Sequence, residues 1–210
     1  EKLPVLFRLC PKDLAADVFT ELTPETQQKL IDGLTDTELK AVVDELFVDD
    51  ATDLVEEMPA NVVKRILGQA DPTTRRMINE LLKYPEDSAG GVMTTELMEL
   101  RPDMTVQQAM DTIREKGFDK ETINNCYVTD GSRKLVGVVS LRALVLEKDT
   151  GTPIRELMDD HVVSVSTTTD QEDVSNLFEK YGFLAIPVVD AENRLVGIVT
   201  IDDAISILQD

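Results

Sequence analysis

Apolar positions in the first eighty residues recur on two periods at once. Leu22-Thr-Pro-Glu, Leu34-Thr-Asp-Thr, Leu46-Phe-Val-Asp, Met58-Pro-Ala-Asn and Ala70-Asp-Pro-Thr follow one another at a spacing of twelve. Inside that frame the apolar residues fall at helical intervals, as in Leu14, Val18 and Phe19, or Leu39, Val42, Val43 and Leu46. Thr23 before Pro24, Thr35, and Asp71 before Pro72 have the chemistry of helix N-caps and first turns. The pattern predicts short helices of about two turns over residues 1 to about 82. A helix that short does not persist alone, so each must bury its stripe on its neighbours, which predicts a small superhelix.

Beyond residue 90 the pattern changes to short apolar runs alternating with amphipathic helices, and it occurs twice. Leu135-Val-Gly-Val-Val-Ser-Leu-Arg-Ala and Leu195-Val-Gly-Ile-Val-Thr-Ile-Asp-Asp are one phrase sixty residues apart. Each follows another strand-like run, Cys126-Tyr-Val-Thr-Asp-Gly or Ile186-Pro-Val-Val-Asp-Ala, whose Asp and following small residue predict a hairpin turn. Helices are predicted at Thr105–Lys116 and Gln171–Tyr181, ended by Gly117 and Gly182. The openers Val92-Met93-Thr94 and Leu157-Met158-Asp159 match as well, and the first copy carries about five extra residues around Asp119–Ile123. The order is strand, helix, strand, strand, helix, twice.

Charge narrows the function. With 41 acidic and 21 basic residues the net charge is −20, which disfavours nucleic acid and anionic membrane surfaces as partners. The 42% hydrophobic content keeps the chain in the globular class. Cys10 and Cys126 are too few for a disulfide framework and read as single thiols of a reducing compartment. His161 heads an apolar run and reads as structural. No nucleophile-base-orienter set and no P-loop is present, so an enzyme is not expected. The most apolar stretch, Leu135–Leu146, is interrupted by Arg142 and reads as strand then helix, not as a membrane span.

One segment concentrates the charge. Residues 47–58 hold Asp49, Asp50, Asp53, Glu56 and Glu57 with no basic residue among them. On a helix Asp49 and Asp53 share a face, and like charges at that spacing repel by a few tenths of a kcal/mol per pair. An oxygen-only donor set of this kind suits a hard cation such as Mg²⁺ or Ca²⁺, although the glycine and alternating ligands of an EF-hand loop are missing.

The duplicated phrase resembles a tandem pair of CBS domains. The segment Tyr84-Pro-Glu-Asp-Ser-Ala-Gly-Gly-Val-Met-Thr, joining it to an acidic helical region, is similar to the cytosolic region of MgtE magnesium transporters. The resemblance implies an α plus α/β fold class: a helical superhelix over 1–90, a first CBS domain over 91–150 and a second over 151–210. It implies that acidic faces of the superhelix and the CBS pair share Mg²⁺ when the ion is abundant. The matching positions are Asp17, Asp49, Asp53, a backbone oxygen of Gly91, Glu172 and Asp203; two family ligand positions fall on Gly182 and Ser206, which have no carboxylate. A membrane domain following Asp210 is implied, which fits a chain that starts at Glu and stops directly after the helical stretch Asp202–Leu208. So are a homodimer formed through the CBS helices and a place on the cytoplasmic face of the membrane. The alternative is an adenine-nucleotide sensor. Many CBS pairs take adenosine phosphates such as ATP through a G-x-x-[ST]-x-x-[DN] phrase, complete here as Gly197, Thr200 and Asp203, with Phe183 as a stacking face; the first copy has Gly137, Ser140 and Ala143.

Overall fold

The computed structural model describes residues 3–207, apart from the side chains of Lys12 and Asp13. They form two compact units, Glu1–Lys83 and Tyr84–Asp210. The first contains seven helices: α1 (Leu3–Phe7), α2 (Lys12–Thr20), α3 (Pro24–Gly33), α4 (Asp36–Val43), α5 (Val48–Glu57), α6 (Ala60–Gln69) and α7 (Pro72–Leu81). From α2 onward each helix begins twelve residues after the one before it. The repeat works because the residue before the cap is apolar and packs inward: Leu34, Leu46, Met58 and Ala70 are all core, and Leu22 is half-buried. Alternate helices then meet, α1 on α3, α2 on α4, α4 on α6 and α5 on α7.

The caps explain where the helices start. Thr35 accepts from the Glu38 amide while Glu38 reaches back to the Thr35 amide, closing a capping box. Asp71 accepts from the amides of Thr73 (2.7 Å) and Thr74 (3.3 Å). Thr23 differs from expectation, because its hydroxyl pairs with that of Thr26 at 2.9 Å and accepts no amide. A second departure concerns α2: Phe19 is buried, whereas Leu14 and Val18 are exposed. The face that α2 buries carries Ala16 and Phe19, and the other two lie off it. Arg65 of α6 ties two repeats together by donating to the carbonyls of Ile31 and Leu34 at the end of α3 while pairing with Asp36.

The second unit holds two three-stranded sheets with the same plan. In the first copy β1 (Leu97–Leu100) runs parallel to β2 (Thr122–Thr129), which is antiparallel to β3 (Leu135–Ser140). Its helices are α8 (Val106–Lys116) and α9 (Leu141–Leu146). The second copy repeats this with β4 (Val165–Ser166), α10 (Gln171–Tyr181), β5 (Ala185–Val189), β6 (Leu195–Thr200) and α11 (Ile201–Ile207). Leu208 and the chain end at Asp210 lie outside the described residues. Alternation along β2 sends Cys126 and Val128 toward α8 and α9, and Tyr127 toward a second core made with Leu135, Ala185, Val189, Leu195 and Ile198 of both copies.

The openers are exchanged between the copies. Thr94 pairs with Ile198 of β6 through two hydrogen bonds of 2.9 Å, and Asp159 pairs with Val138 of β3 in the same way. The phrase glycines permit it, since a Cβ on Gly137 would lie 2.6 Å from the Met158 sulfur and one on Gly197 2.6 Å from that of Met93. Ile154, in the second half of the sequence, is therefore core to the first copy. Likewise residues 84–90, expected with the superhelix, belong with the second unit. Gly182 ends α10 in the left-handed conformation (φ 66°) as expected, but Gly117 is right-handed and leads into a 3₁₀ turn, Gly117–Asp119, where the first copy's extra residues begin. In both hairpins the aspartate accepts two amides of the turn, and the left-handed residue is Arg133 or Asn193, three positions beyond it.

Candidate functional site

Helix α5 buries Val48, Ala51, Thr52, Leu54 and Val55, which turns its acidic residues outward. Asp49 is half-buried and Asp53, one turn on, is exposed, with Glu56 and Glu57 continuing the acidic face. The helix N-terminus favours Asp49 and Asp50, but no basic residue occupies the last turn to serve the same purpose there. Asp17, on α2, is exposed. Its helix packs on α4, whereas α5 packs on α7.

In the second unit the candidates sit at two corners. Glu172 is exposed in the first turn of α10, whose cap Asp170 accepts from the Glu172 amide at 2.9 Å. Backbone pairing of Ser88 with Asp170 brings the segment leading to Gly91 onto this helix start, so residues 81 apart in sequence share one corner. Gly91 itself is held by Ser88, whose carbonyl accepts its amide at 2.8 Å, and a Cβ there would lie 2.4 Å from the Pro85 carbonyl oxygen. At the second corner Thr200, buried at the end of β6, donates its hydroxyl to Asp203 Oδ2 at 2.5 Å. Burial, with repulsion from Asp202, pushes the Asp203 carboxyl up to about 6, against the pull of the Thr200 hydrogen bonds. Phe183 is half-buried and stacks on Tyr181 with ring centroids 5.2 Å apart.

These donors are all oxygen, and a half-buried Asp49 with an exposed Asp53 one helical turn on fits a hard divalent ion that keeps part of its water. Asp17, Asp49, Asp53, Glu172 and the Gly91 carbonyl offer oxygens of the kind Mg²⁺ takes, and half-buried Asp203 offers a carboxyl beside Thr200. Gly182 and Ser206 offer no carboxylate, and Ser206 instead donates to the Asp202 carbonyl at 3.2 Å. Among the described residues, Asp159, Asp160 and His161 are three adjacent donors within 4.8 Å of one another, all exposed. His161 pairs with Asp160 at 2.8 Å and is no core residue. The only local signal for its setting is the Asp-Asp-His run itself, since the pairing of Asp159 with Val138 of the other copy is a tertiary contact.

A helical repeat unit joined to two copies of a βαββα unit with exchanged openers defines a protein built around a tandem pair of CBS domains. Family models agree: the MgtE intracellular N domain matches residues 1–87 and the CBS domain matches 89–148 and 154–210. The magnesium transporter MgtE of Thermus thermophilus is 41% identical over 209 residues, 98% of this chain and 46% of the relative; that of Bacillus subtilis is 35% identical over 199 residues, 93% of this chain and 43% of the relative. The crystal structure of the cytosolic domain of the Mg²⁺ channel MgtE in complex with ATP superposes with a TM-score of 0.91 at 40% identity, covering 97% of this chain and 83% of that one. The soluble part of a magnesium transporter gives 0.91 at 32% identity, covering 98% and 80%. The chain belongs to the MgtE magnesium transporter family and corresponds to its CBS-containing cytosolic region. It spans about half the length of the curated relatives it matches, and among the described residues no helix is long and apolar enough to cross a membrane.

Proposed function

We propose that this region senses Mg²⁺ and gates a membrane pore, with Asp49 and Asp53 as principal ligands, Asp17 and Asp203 next, and Glu172 and the Gly91 carbonyl completing the set. The observation that carries the reading is the Asp49–Asp53 pair on the outward face of α5, in a chain of a magnesium transporter family. Apposed acidic faces repel by several kcal/mol at an effective dielectric near 20, and a shared divalent ion reverses the sign. The ion-free units therefore separate, and the loaded ones close. Sites of a few carboxylates bind Mg²⁺ weakly, and several coupled to one closed state sharpen the response. Calorimetry at millimolar Mg²⁺ should show uptake and small-angle scattering a compaction, both lost when Asp49 and Asp53 are changed together to Asn. An unaltered response in that double variant would falsify the ligand assignment.

A second ligand is favoured by the intact Gly197, Thr200 and Asp203 phrase beside Phe183, and by the ATP in the related cytosolic domain. In this reading Asp203 accepts from the ribose and Phe183 stacks on the base, in one copy only, because Ala143 replaces the aspartate in the other. Thermal-shift titrations with ATP, repeated with D203N, should lose their response. A homodimer is supported by the large exposed apolar residues of the second unit, Phe118, Val145, Leu146, Tyr181, Leu184 and Ile205, which lie on or beside the helices of the two copies. Sedimentation equilibrium should give twice the chain mass, and L146D should give the monomer.

A further inference from the structure

The chain enters its second unit at the second copy, not at the copy that follows it in sequence. The Ala89 and Gly90 amides donate to the carbonyls of Thr169 (2.7 Å) and Thr167 (2.9 Å), and the Gln171 amide donates to the Asp87 carbonyl (3.0 Å). Ser88 pins the fold of this strap by donating to the Pro85 carbonyl at 2.6 Å. Gly90 is required: a Cβ there would lie 2.7 Å from the Tyr84 ring and 2.9 Å from the Thr167 carbonyl oxygen. A mirror strap, the Thr150–Pro153 segment, grips the start of α8 through the Val106 and Gln107 amides. That one joins copy to copy, whereas the Asp87–Gly90 strap is the tether of the helical unit.

We propose that the Asp87–Gly90 clamp keeps this tether short, and that its strength sets the Mg²⁺ concentration at which the acidic faces meet. This rests on the Mg²⁺ reading above. With the clamp closed, only residues 82–86 link α7 to the anchored strap; with it open, the free segment extends to residue 92, because Met93 and Thr94 stay on Gly197 and Ile198. Effective concentration across a flexible link falls with about the three-halves power of its length, so a link about twice as long lowers it about threefold. The clamp also places Gly91 and Glu172 at one corner, so its loss loosens two candidate ligands together.

The test uses the full chain carrying spin labels at Arg76 of α7 and Glu179 of α10, with G90A, the milder S88A, and G137A as a control that disturbs the opposite opener. In chelator the wild type and G137A should give a narrow distance distribution and G90A a broad one, with S88A between. In hydrogen exchange the Ala89, Gly90 and Gln171 amides should be slow in wild type and fast in G90A. The Mg²⁺ midpoint of compaction should rise about threefold in G90A and stay unchanged in G137A. Fast exchange of those amides in wild type, or an unshifted midpoint in a G90A chain whose amides have become fast, overturns the proposal. A narrow wild-type distribution with no compaction at any Mg²⁺ concentration sinks the sensor reading and the midpoint claim with it, while the short tether stands. Should G90A fail to fold, S88A decides the matter by the same three readouts.

Discussion

Among the described residues Tyr127 is the largest fully buried side chain, and its hydroxyl has no hydrogen-bond partner there. Burial pushes its ionisation well above the ordinary phenol range. An unsatisfied buried hydroxyl costs about 1–3 kcal/mol, so Y127F should leave the second unit as stable or raise it by about 1 kcal/mol in urea unfolding. Asp203 makes a pH prediction. Its carboxyl titrates near 6 when folded and near 3.8 when unfolded, so between these values the folded chain holds a proton the unfolded chain has released. Stability from this group is therefore greatest below the window and falls as pH rises through it, by on the order of 2 kcal/mol. D203N should flatten that part of the pH-stability curve, and Mg²⁺ or nucleotide held by Asp203 should weaken below pH 6. Glu38 has the opposite sign. Arg8, then Thr35, hold its carboxyl down to about 2, so its stabilisation is present above the ordinary carboxylate range and is lost as pH falls toward 2.

At the level of elements, the twelve-residue repeat tolerates unequal caps because packing of alternate helices does most of the holding. Thr35 satisfies an amide and Thr23 does not, although both precede a helix and both read as caps in the sequence. T35A should destabilise the helical unit by about 1 kcal/mol and T23A by less than about 0.5 kcal/mol, measured by thermal unfolding. The two hairpins are a closer match. Each aspartate orders its turn in the same way, and the turns touch: the Leu135 amide donates to the Asn193 carbonyl (3.1 Å) and the Leu195 amide to that of Arg133 (3.0 Å). Gly137 and Gly197 each make room for a methionine of the other copy's opener. G137A and G197A should each cost about 1–3 kcal/mol, and each should unfold both copies in one transition because the damage is to their shared contact.

For the whole molecule, the repeat of twelve, the repeat of sixty and the acidic run of α5 were readable from one sequence, because each is a local periodicity that burial or charge imposes on neighbouring residues. The helix starts follow from those periods together with the capping residues, and the paired sheets and the outward placement of Asp53 from the periods alone. The exchanged openers were not readable: Met93 and Met158 are equally good apolar residues whichever strand they meet, and nothing local distinguishes the two. Nor could spacing show that the Asp87–Gly90 strap lies on Thr167–Gln171, since that contact joins positions about eighty apart. The raised carboxyl of Asp203 likewise depends on what surrounds it, and the sequence alone offered only its place in a phrase. Local pattern thus determined the elements and the family, while tertiary structure decided which copy each segment serves, because backbone pairing and close glycine contacts are set by geometry between distant parts of the chain.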